Sequence, residues 1–360
     1  MSTPRVRPDL VGRTPYGAPQ LDVPVRLNVN ENPFPPSPAL VQAIADAVAH
    51  AAENLNRYPD RDAIDLRKDL AKYISAESKT KVEWNNIWAA NGSNEVMQHL
   101  LLAYGGPGRR LVTFAPSYSM YPDYCRETFT EYVEVPRNDD FTIDSEAVQQ
   151  ALLLKPDIIV LCSPNNPTGT VLHEQIIDEV LANFDGLIII DEAYAEFRDD
   201  DQPSALEKYA GLAQIVVTRT MSKAFSCAGL RLGYAVAHPD VIDNCRLVRL
   251  PYHLSAVTQA VARTAIAHSD ELLSQVRLLR EERHKLSAWL IEHGYLVAPS
   301  GANFLLFGTF ADRDDVWQQL LSQGVLIRQS GPAGWLRVSI GTPEENEAFR
   351  QALTNVEHGE

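Results

Sequence analysis

The chain has 360 residues, which is enough to bury a large core and more than one domain usually contains, so two domains are expected. Its formal net charge of −15 argues against nucleic acid or an anionic membrane surface as a partner, because both would repel it. The four cysteines are widely spaced and the N-terminus lacks an apolar signal segment, so we expect a cytoplasmic protein with no disulfide framework, no metal site and no membrane span.

Residues 1–35 contain seven prolines and little periodicity, which predicts an extended N-terminal arm lying on other structure. Ser37 and Pro38 then mark the start of a helix that continues to about Asn54. Further on, short apolar runs alternate with helical patterns, and this rhythm indicates an α/β fold with a mostly parallel sheet covered by helices. We assign residues 36–250 to this large domain.

The pattern changes after residue 250. Residues 256–293 are typical of long helices. Residues 295–353 predict a small α+β unit with strands near Asn303–Phe307, Val325–Arg328 and Leu336–Ser339. We therefore assign residues 251–360, including the linking helix, to a C-terminal domain.

Three predicted strands end in polar residues. Asp157–Cys162 runs into S-P-N-N-P-T-G, Leu187–Ile190 into D-E-A-Y, and the run that begins at Ile215 into T-R-T-M-S-K. Parallel strands that are buried on both faces bind ligands beyond their carboxyl ends. We therefore expect one crevice to receive five side chains: Asn166, Asp191, Tyr194, Lys223 and Arg231.

This combination of side chains suits pyridoxal 5′-phosphate. The amine of Lys223 can form a Schiff base with an aldehyde and can then carry protons. The Asp191 carboxylate can keep a pyridine nitrogen protonated, which makes the ring an electron sink. Asn166 and Tyr194 can bond the ring's phenolate oxygen, and Tyr194 is counted with Lys223 and Asp191 as a catalytic candidate.

The phosphate end of such a cofactor needs donors. Arg231 and the hydroxyl groups of Thr220 and Ser222 can supply some of them. Others come from Gly92, Ser93 and Asn94, which follow a predicted strand and open a helix whose free N–H groups attract phosphate.

The chain as a whole resembles the fold-type I aminotransferases of the aspartate aminotransferase superfamily. The resemblance extends from about Tyr16 to about Phe349 and rests on ordered motifs: L-N-V-N-E-N-P, N-R-Y-P, N-G-S-N-E, P-S-Y-S-M-Y, S-P-N-N-P-T-G, D-E-A-Y, T-M-S-K and L-R-L-G-Y. Within that group it is most similar to the histidinol-phosphate aminotransferases of the actinobacterial kind. The resemblance implies a seven-stranded sheet in the large domain and a homodimer with shared active sites.

The resemblance also implies roles for single residues. Tyr118 would stack on the cofactor ring, with simple packing as the alternative. Tyr58 would reach the partner's cofactor phosphate, with a surface turn as the alternative. Arg328 and Arg337 would hold the substrate's anionic group, with structural salt bridges as the alternative. Substrate contacts are predicted for Tyr16, Asn32, Tyr58, Asn166, Arg328 and Arg337.

The predicted reaction is reversible transfer of an amino group from L-histidinol phosphate to 2-oxoglutarate, giving imidazole-acetol phosphate and L-glutamate. Two alternatives on the same fold stay open, namely an aromatic amino acid aminotransferase and a pyridoxal phosphate-dependent decarboxylase of an amino-acid phosphate. A DNA-binding regulator is disfavoured because the chain is acidic and has no residues left for a helix-turn-helix.

Overall fold

The structure is a computed structural model that describes residues 4–358. Its helices are α1 (Pro38–Ala52), α2 (Ile64–Glu77), α3 (Ser93–Tyr104), α4 (Tyr121–Thr128), α5 (Ser145–Leu153), α6 (Glu174–Asn183), α7 (Ala205–Tyr209), α8 (Pro239–Val248), α9 (Ala256–Ala267), α10 (Ser269–Glu292), α11 (Arg313–Ser322) and α12 (Pro343–His358). The predicted start of α1 is confirmed, since the Ser37 side chain accepts a hydrogen bond from the Leu40 N–H and Pro38 opens the helix.

The strands are short, and most lie where apolar runs predicted them. They are β1 (Val25–Arg26), β2 (Ile87–Ala90), β3 (Arg110–Ala115), β4 (Glu131–Pro136), β5 (Ile158–Cys162), β6 (Leu187–Asp191), β7 (Ile215–Thr220), β8 (Gly233–Val236), β9 (Leu296–Val297), β10 (Phe304–Gly308), β11 (Val325–Leu326) and β12 (Leu336–Ser339).

One seven-stranded sheet forms the centre of the molecule, in the order β2-β8-β7-β6-β5-β3-β4. Strands β4, β3, β5, β6 and β7 run parallel, while β8 is antiparallel to both of its neighbours. Every residue of β5, β6 and β7 is buried, because helices cover both faces. The predicted mostly parallel, seven-stranded sheet is confirmed.

A three-stranded antiparallel sheet, β12-β10-β9, belongs to the C-terminal part. The N-terminal arm joins this part, since β1 pairs in parallel with β11 and the Leu27 N–H donates to the Leu326 carbonyl oxygen at 2.8 Å. The predicted strand at 325–328 is shorter than expected, and Arg328 instead makes an isolated bridge to Arg337. The division into arm, large domain and small domain stays a prediction.

A buried ionic cluster lies beside strands β6 and β7. Arg219 has no exposed side-chain surface and forms ion pairs with Glu192 at 2.8 Å and Glu196 at 3.2 Å. Its guanidinium also donates to the Ser204 hydroxyl at 2.8 Å. Charges can be buried in this way because each has partners within the cluster.

Removing the central cation should therefore destabilise the fold. We expect Arg219→Ala to lower the free energy of unfolding by about 3–5 kcal/mol, because Glu192 and Glu196 would lose the partner that compensates their burial. The measurement is urea unfolding of the cofactor-free protein. Arg263→Ala is the matched control, since Arg263 pairs with Asp69 at the surface and should change stability by about 1 kcal/mol or less. Equal effects of the two substitutions would contradict this expectation.

Candidate active site

A cavity of about 1130 Å³ opens at the carboxyl ends of β5, β6 and β7. Sites for a single small molecule usually measure about 300–1,000 Å³, so this cavity has room for a cofactor and a substrate together. Thirteen of the predicted site residues line it: Tyr16, Ser93, Asn94, Tyr118, Asn166, Asp191, Tyr194, Thr220, Ser222, Lys223, Arg231, Arg328 and Arg337. All five side chains that were expected in one crevice at the strand ends are among these lining residues.

Lys223 follows β7 and lies partly buried in the cavity. Its Nζ donates a hydrogen bond to the Val29 carbonyl oxygen at 3.0 Å. Burial and the nearby positive charge of Arg337 lower the pKa of Lys223 to about 8, with a smaller contribution from Arg231. Near pH 7 a far larger share of this amine is therefore uncharged than in an ordinary lysine, and only the uncharged amine can act as a nucleophile or proton acceptor.

Asp191 is the last residue of β6 and is 5% exposed. Its Oδ2 accepts a hydrogen bond from the Tyr121 hydroxyl at 2.8 Å, and its Oδ1 accepts one from Thr218 at 3.1 Å. Burial raises the pKa of Asp191, while these two hydroxyl groups act in the opposite direction. The carboxylate can still accept a bond from a ring nitrogen, because each oxygen has a second lone pair.

The start of α3 presents hydrogen-bond donors that would suit an anion. Gly92 precedes the helix with a φ of +85°, and no side chain caps the first turn. A Cβ atom on Gly92 would lie 2.7 Å from Arg231 Nη2, so any other residue here would displace the guanidinium from its position against the turn. Arg231 Nη1 also donates to the Ser222 hydroxyl at 3.3 Å. Free helix N–H groups, a guanidinium and hydroxyl groups are the donors that a phosphate dianion needs.

Arg337 lies at another part of the cavity wall and is 6% exposed. Its Nη1 donates to the Asn166 side-chain oxygen at 2.6 Å and its Nη2 to the Asn28 carbonyl oxygen at 3.0 Å. Its Nε is buried without a hydrogen-bond partner, and within residues 4–358 no carboxylate forms an ion pair with this guanidinium. The structural salt bridge considered from the sequence is therefore absent from the described chain. A buried cation of this kind favours an anionic ligand.

The remaining predicted residues lie outside the cavity lining. Tyr58 is 80% exposed, and its ring stacks on Tyr252 with 4.4 Å between centroids. The Asn32 amide donates to the Gln275 side chain at 3.3 Å, so in this structure its partner is another part of the protein. Gly92 packs against the Arg231 guanidinium and does not itself line the cavity.

Four lining or supporting residues were not predicted from the sequence. Asn28 and Asn30 of the arm line the cavity where Asn32 was expected, and Asn30 Nδ2 donates to the Tyr194 hydroxyl at 3.0 Å. The three asparagines recur at every second position of a segment that the sequence predicts to be extended, so the sequence offered no means of choosing among them. In the structure the backbone turns at Asn30, whose φ is +57°. The sequence held one signal for each of the other two residues. Tyr121 is the last residue of the P-S-Y-S-M-Y motif, and Thr218 lies on the same strand face as Thr220.

Within residues 4–358, no group of three or more histidine, cysteine, aspartate or glutamate side chains is arranged to hold a metal ion. No helix in the same range combines the length and apolarity needed to cross a membrane.

Comparison with known proteins places the chain in a family. Residues 23–353 match the model for aminotransferase class I and II. The histidinol-phosphate aminotransferase of Thermobifida fusca is 55% identical over 349 residues, covering 97% of this chain and 94% of that protein. Histidinol-phosphate aminotransferase 3 of Burkholderia lata is 52% identical, with 98% and 95% covered. The chain therefore belongs to the class I and II aminotransferases and, within them, to the family of these histidinol-phosphate aminotransferases.

A solved structure has the same fold. The histidinol-phosphate aminotransferase of Sinorhizobium meliloti, determined in complex with pyridoxal 5′-phosphate, superposes with a TM-score of 0.82 at 24% identity and covers 94% of this chain and 92% of that one. At this identity the likeness concerns the fold.

The lowered pKa of Lys223 can be tested in the cofactor-free protein. We expect its reductive methylation by formaldehyde to speed up as the pH rises, with a midpoint near pH 8, because only the neutral amine attacks an aldehyde. Mass spectrometry of the Lys223 peptide gives the rate. In urea the midpoint should move towards about 10.4, the ordinary value for lysine. A midpoint near 10 in the folded protein would show that burial and Arg337 leave the amine unperturbed.

Proposed function

We propose that this protein transfers the amino group of L-histidinol phosphate to 2-oxoglutarate, with pyridoxal 5′-phosphate as its cofactor. One observation carries the proposal: Arg337 is a buried cation with no acidic partner in the described chain, in the same cavity as an amine of lowered pKa. The names of the relatives supply the substrate, since proteins 52–55% identical over nearly the whole chain are histidinol-phosphate aminotransferases.

The residues present fit the cofactor. Arg231, Ser222 and the uncapped start of α3 would hold its phosphate, Asp191 would accept a hydrogen bond from its ring nitrogen, and Tyr118 lines the cavity where it could cover the ring. The glycine at position 92 supports this assignment, because a Cβ there would occupy the space that the Arg231 guanidinium uses. Bound pyridoxal phosphate supplies an aldehyde for the substrate amine and a ring that accepts electrons.

The side chains of the protein would then carry out proton transfer and substrate binding. The neutral Nζ of Lys223 would take the proton from the substrate carbon and release it again, and its low pKa makes both steps feasible. Arg337 and Arg328 would hold the substrate phosphate, or the second carboxylate of 2-oxoglutarate, in the same place. They lie opposite each other across two backbone hydrogen bonds of 2.9 Å, so their side chains leave the same face.

We further propose a homodimer in which Tyr58 contributes to the partner's site. In support, the rings of Tyr58 and Tyr252 form a stacked pair. Solvent-exposed apolar side chains lie close to them in sequence, among them Leu250 at 77% and Leu55 at 58% exposure. Exposed apolar residues at this density are typical of a surface that another chain covers. A cytoplasmic location also stays a proposal, supported by four buried, unpaired cysteines: Cys125, Cys162, Cys227 and Cys245.

The substrate assignment is tested by a single half-reaction. The cofactor-loaded protein is mixed anaerobically with L-histidinol phosphate, L-phenylalanine or O-phospho-L-threonine, without an acceptor, while cofactor absorbance and carbon dioxide are followed. We expect stoichiometric conversion of the cofactor to its pyridoxamine form, fastest with histidinol phosphate, and recovery on addition of 2-oxoglutarate. Lys223→Ala should slow the conversion by roughly 10²–10⁴-fold, because it removes the proton carrier.

The alternatives give different results in the same experiment. Faster conversion with phenylalanine would assign the protein to the aromatic aminotransferases. Release of carbon dioxide from phosphothreonine would make it a decarboxylase.

A further inference from the structure

Tyr121 occupies a position that the proposed mechanism does not use. It opens α4, has no exposed surface, and donates its hydroxyl hydrogen to Asp191 Oδ2 at 2.8 Å. Thr218, also fully buried, donates to the other carboxylate oxygen at 3.1 Å. Each oxygen of Asp191 therefore carries one hydroxyl donor from a different element.

The surroundings of Asp191 offer little other help to a negative charge. Within residues 4–358 no lysine, arginine or histidine side chain forms an ion pair with it. The other titratable groups near it are the thiol of Cys162, the phenols of Tyr118, Tyr124 and Tyr194, which are neutral donors at most, and the Glu192 carboxylate, which pairs with Arg219 and Arg198. Neutral donors thus provide most of the stabilisation of this buried anion, assisted by the Ala193 N–H.

We propose that Tyr121, assisted by Thr218, is a positioning residue that keeps Asp191 ionised and so keeps a proton on the ring nitrogen of bound pyridoxal phosphate. The inference rests on the cofactor part of the proposed function. A proton shared by a carboxylate and a ring nitrogen lies on the nitrogen only while the carboxylate is the weaker base. Hydrogen bonds to the carboxylate lower its basicity, and their loss moves the proton from the ring nitrogen to Asp191.

The chain offers a matched control for this effect. Tyr124 lies one turn further along α4, is 3% exposed, and its hydroxyl has no hydrogen-bond partner. Tyr121→Phe and Tyr124→Phe remove the same atom from the same helix. Only the first removes a donor to Asp191.

The test loads the full chain with pyridoxal phosphate labelled with ¹⁵N in the ring and records the ¹⁵N chemical shift at one pH. We expect Tyr121→Phe to move the shift towards that of unprotonated pyridine, with the ratio of protonated to unprotonated ring falling by about tenfold or more. Tyr124→Phe should leave the shift unchanged. The proposal is overturned if both substitutions move it or if neither does.

If Tyr121→Phe does not fold, a second pair of variants at Thr218 tests whether hydroxyl donors keep Asp191 ionised. Thr218→Val keeps the shape of the side chain and loses the hydroxyl, so it should move the shift in the same direction by a smaller amount, while Thr218→Ser should restore it. A residue with a purely structural role would change the melting temperature without moving the ring shift. No substrate is present, so this result is independent of whether histidinol phosphate is turned over.

Discussion

Buried charge without a counter-ion among the described residues 4–358 is the constraint on which this structure depends. Asp191 and Glu192 are adjacent, both are almost fully buried, and their environments differ. Glu192 faces Arg219 and Arg198, and although burial alone would raise its pKa, these arginines leave that pKa below its ordinary value. Asp191 points into the cavity, where burial raises its pKa and no cation of the described chain pairs with it. Because successive side chains point to opposite sides at the end of β6, Glu192 joins the buried ionic cluster while Asp191 lies in the cavity.

The N-terminal arm connects this charge pattern to function. Three successive residues meet three functional side chains: the Asn28 carbonyl accepts from Arg337, the Val29 carbonyl from Lys223, and the Asn30 amide donates to Tyr194. The arm is fixed in turn by Leu27, whose backbone bonds both Leu326 and Ser339. Backbone oxygens therefore accept hydrogen bonds from Arg337 and Lys223 without neutralising a positive charge on either side chain. An acidic side chain in their place would neutralise Arg337 and remove the attraction that we propose it has for an anionic substrate.

Much of this arrangement was predictable from sequence. Buried β-branched runs identify β5, β6 and β7, and the polar residues after them identify Asn166, Asp191 and Lys223, because parallel strands end at one edge of a sheet. Tyr121 and Thr218 were not predicted as site residues, because each contacts Asp191 through a hydrogen bond between residues far apart in sequence. Asn30 was not predicted because the sequence does not distinguish among Asn28, Asn30 and Asn32, whose contacts depend on the path of the arm across the protein. The proposed dimer and the proposed role of Tyr58 in it involve a second chain, which no pattern within one chain reveals directly.

The most direct test of the central claim asks whether the substrate phosphate is the missing counter-ion of Arg337. The specificity constant kcat/KM is measured for L-histidinol phosphate and for L-histidinol, which lacks the phosphate, in the natural protein and in Arg337→Gln. We predict a loss of roughly 10- to 100-fold with histidinol phosphate and a change of about threefold or less with histidinol, because the substitution removes charge-assisted bonds that only the first substrate makes. Equal losses with both substrates would contradict the account.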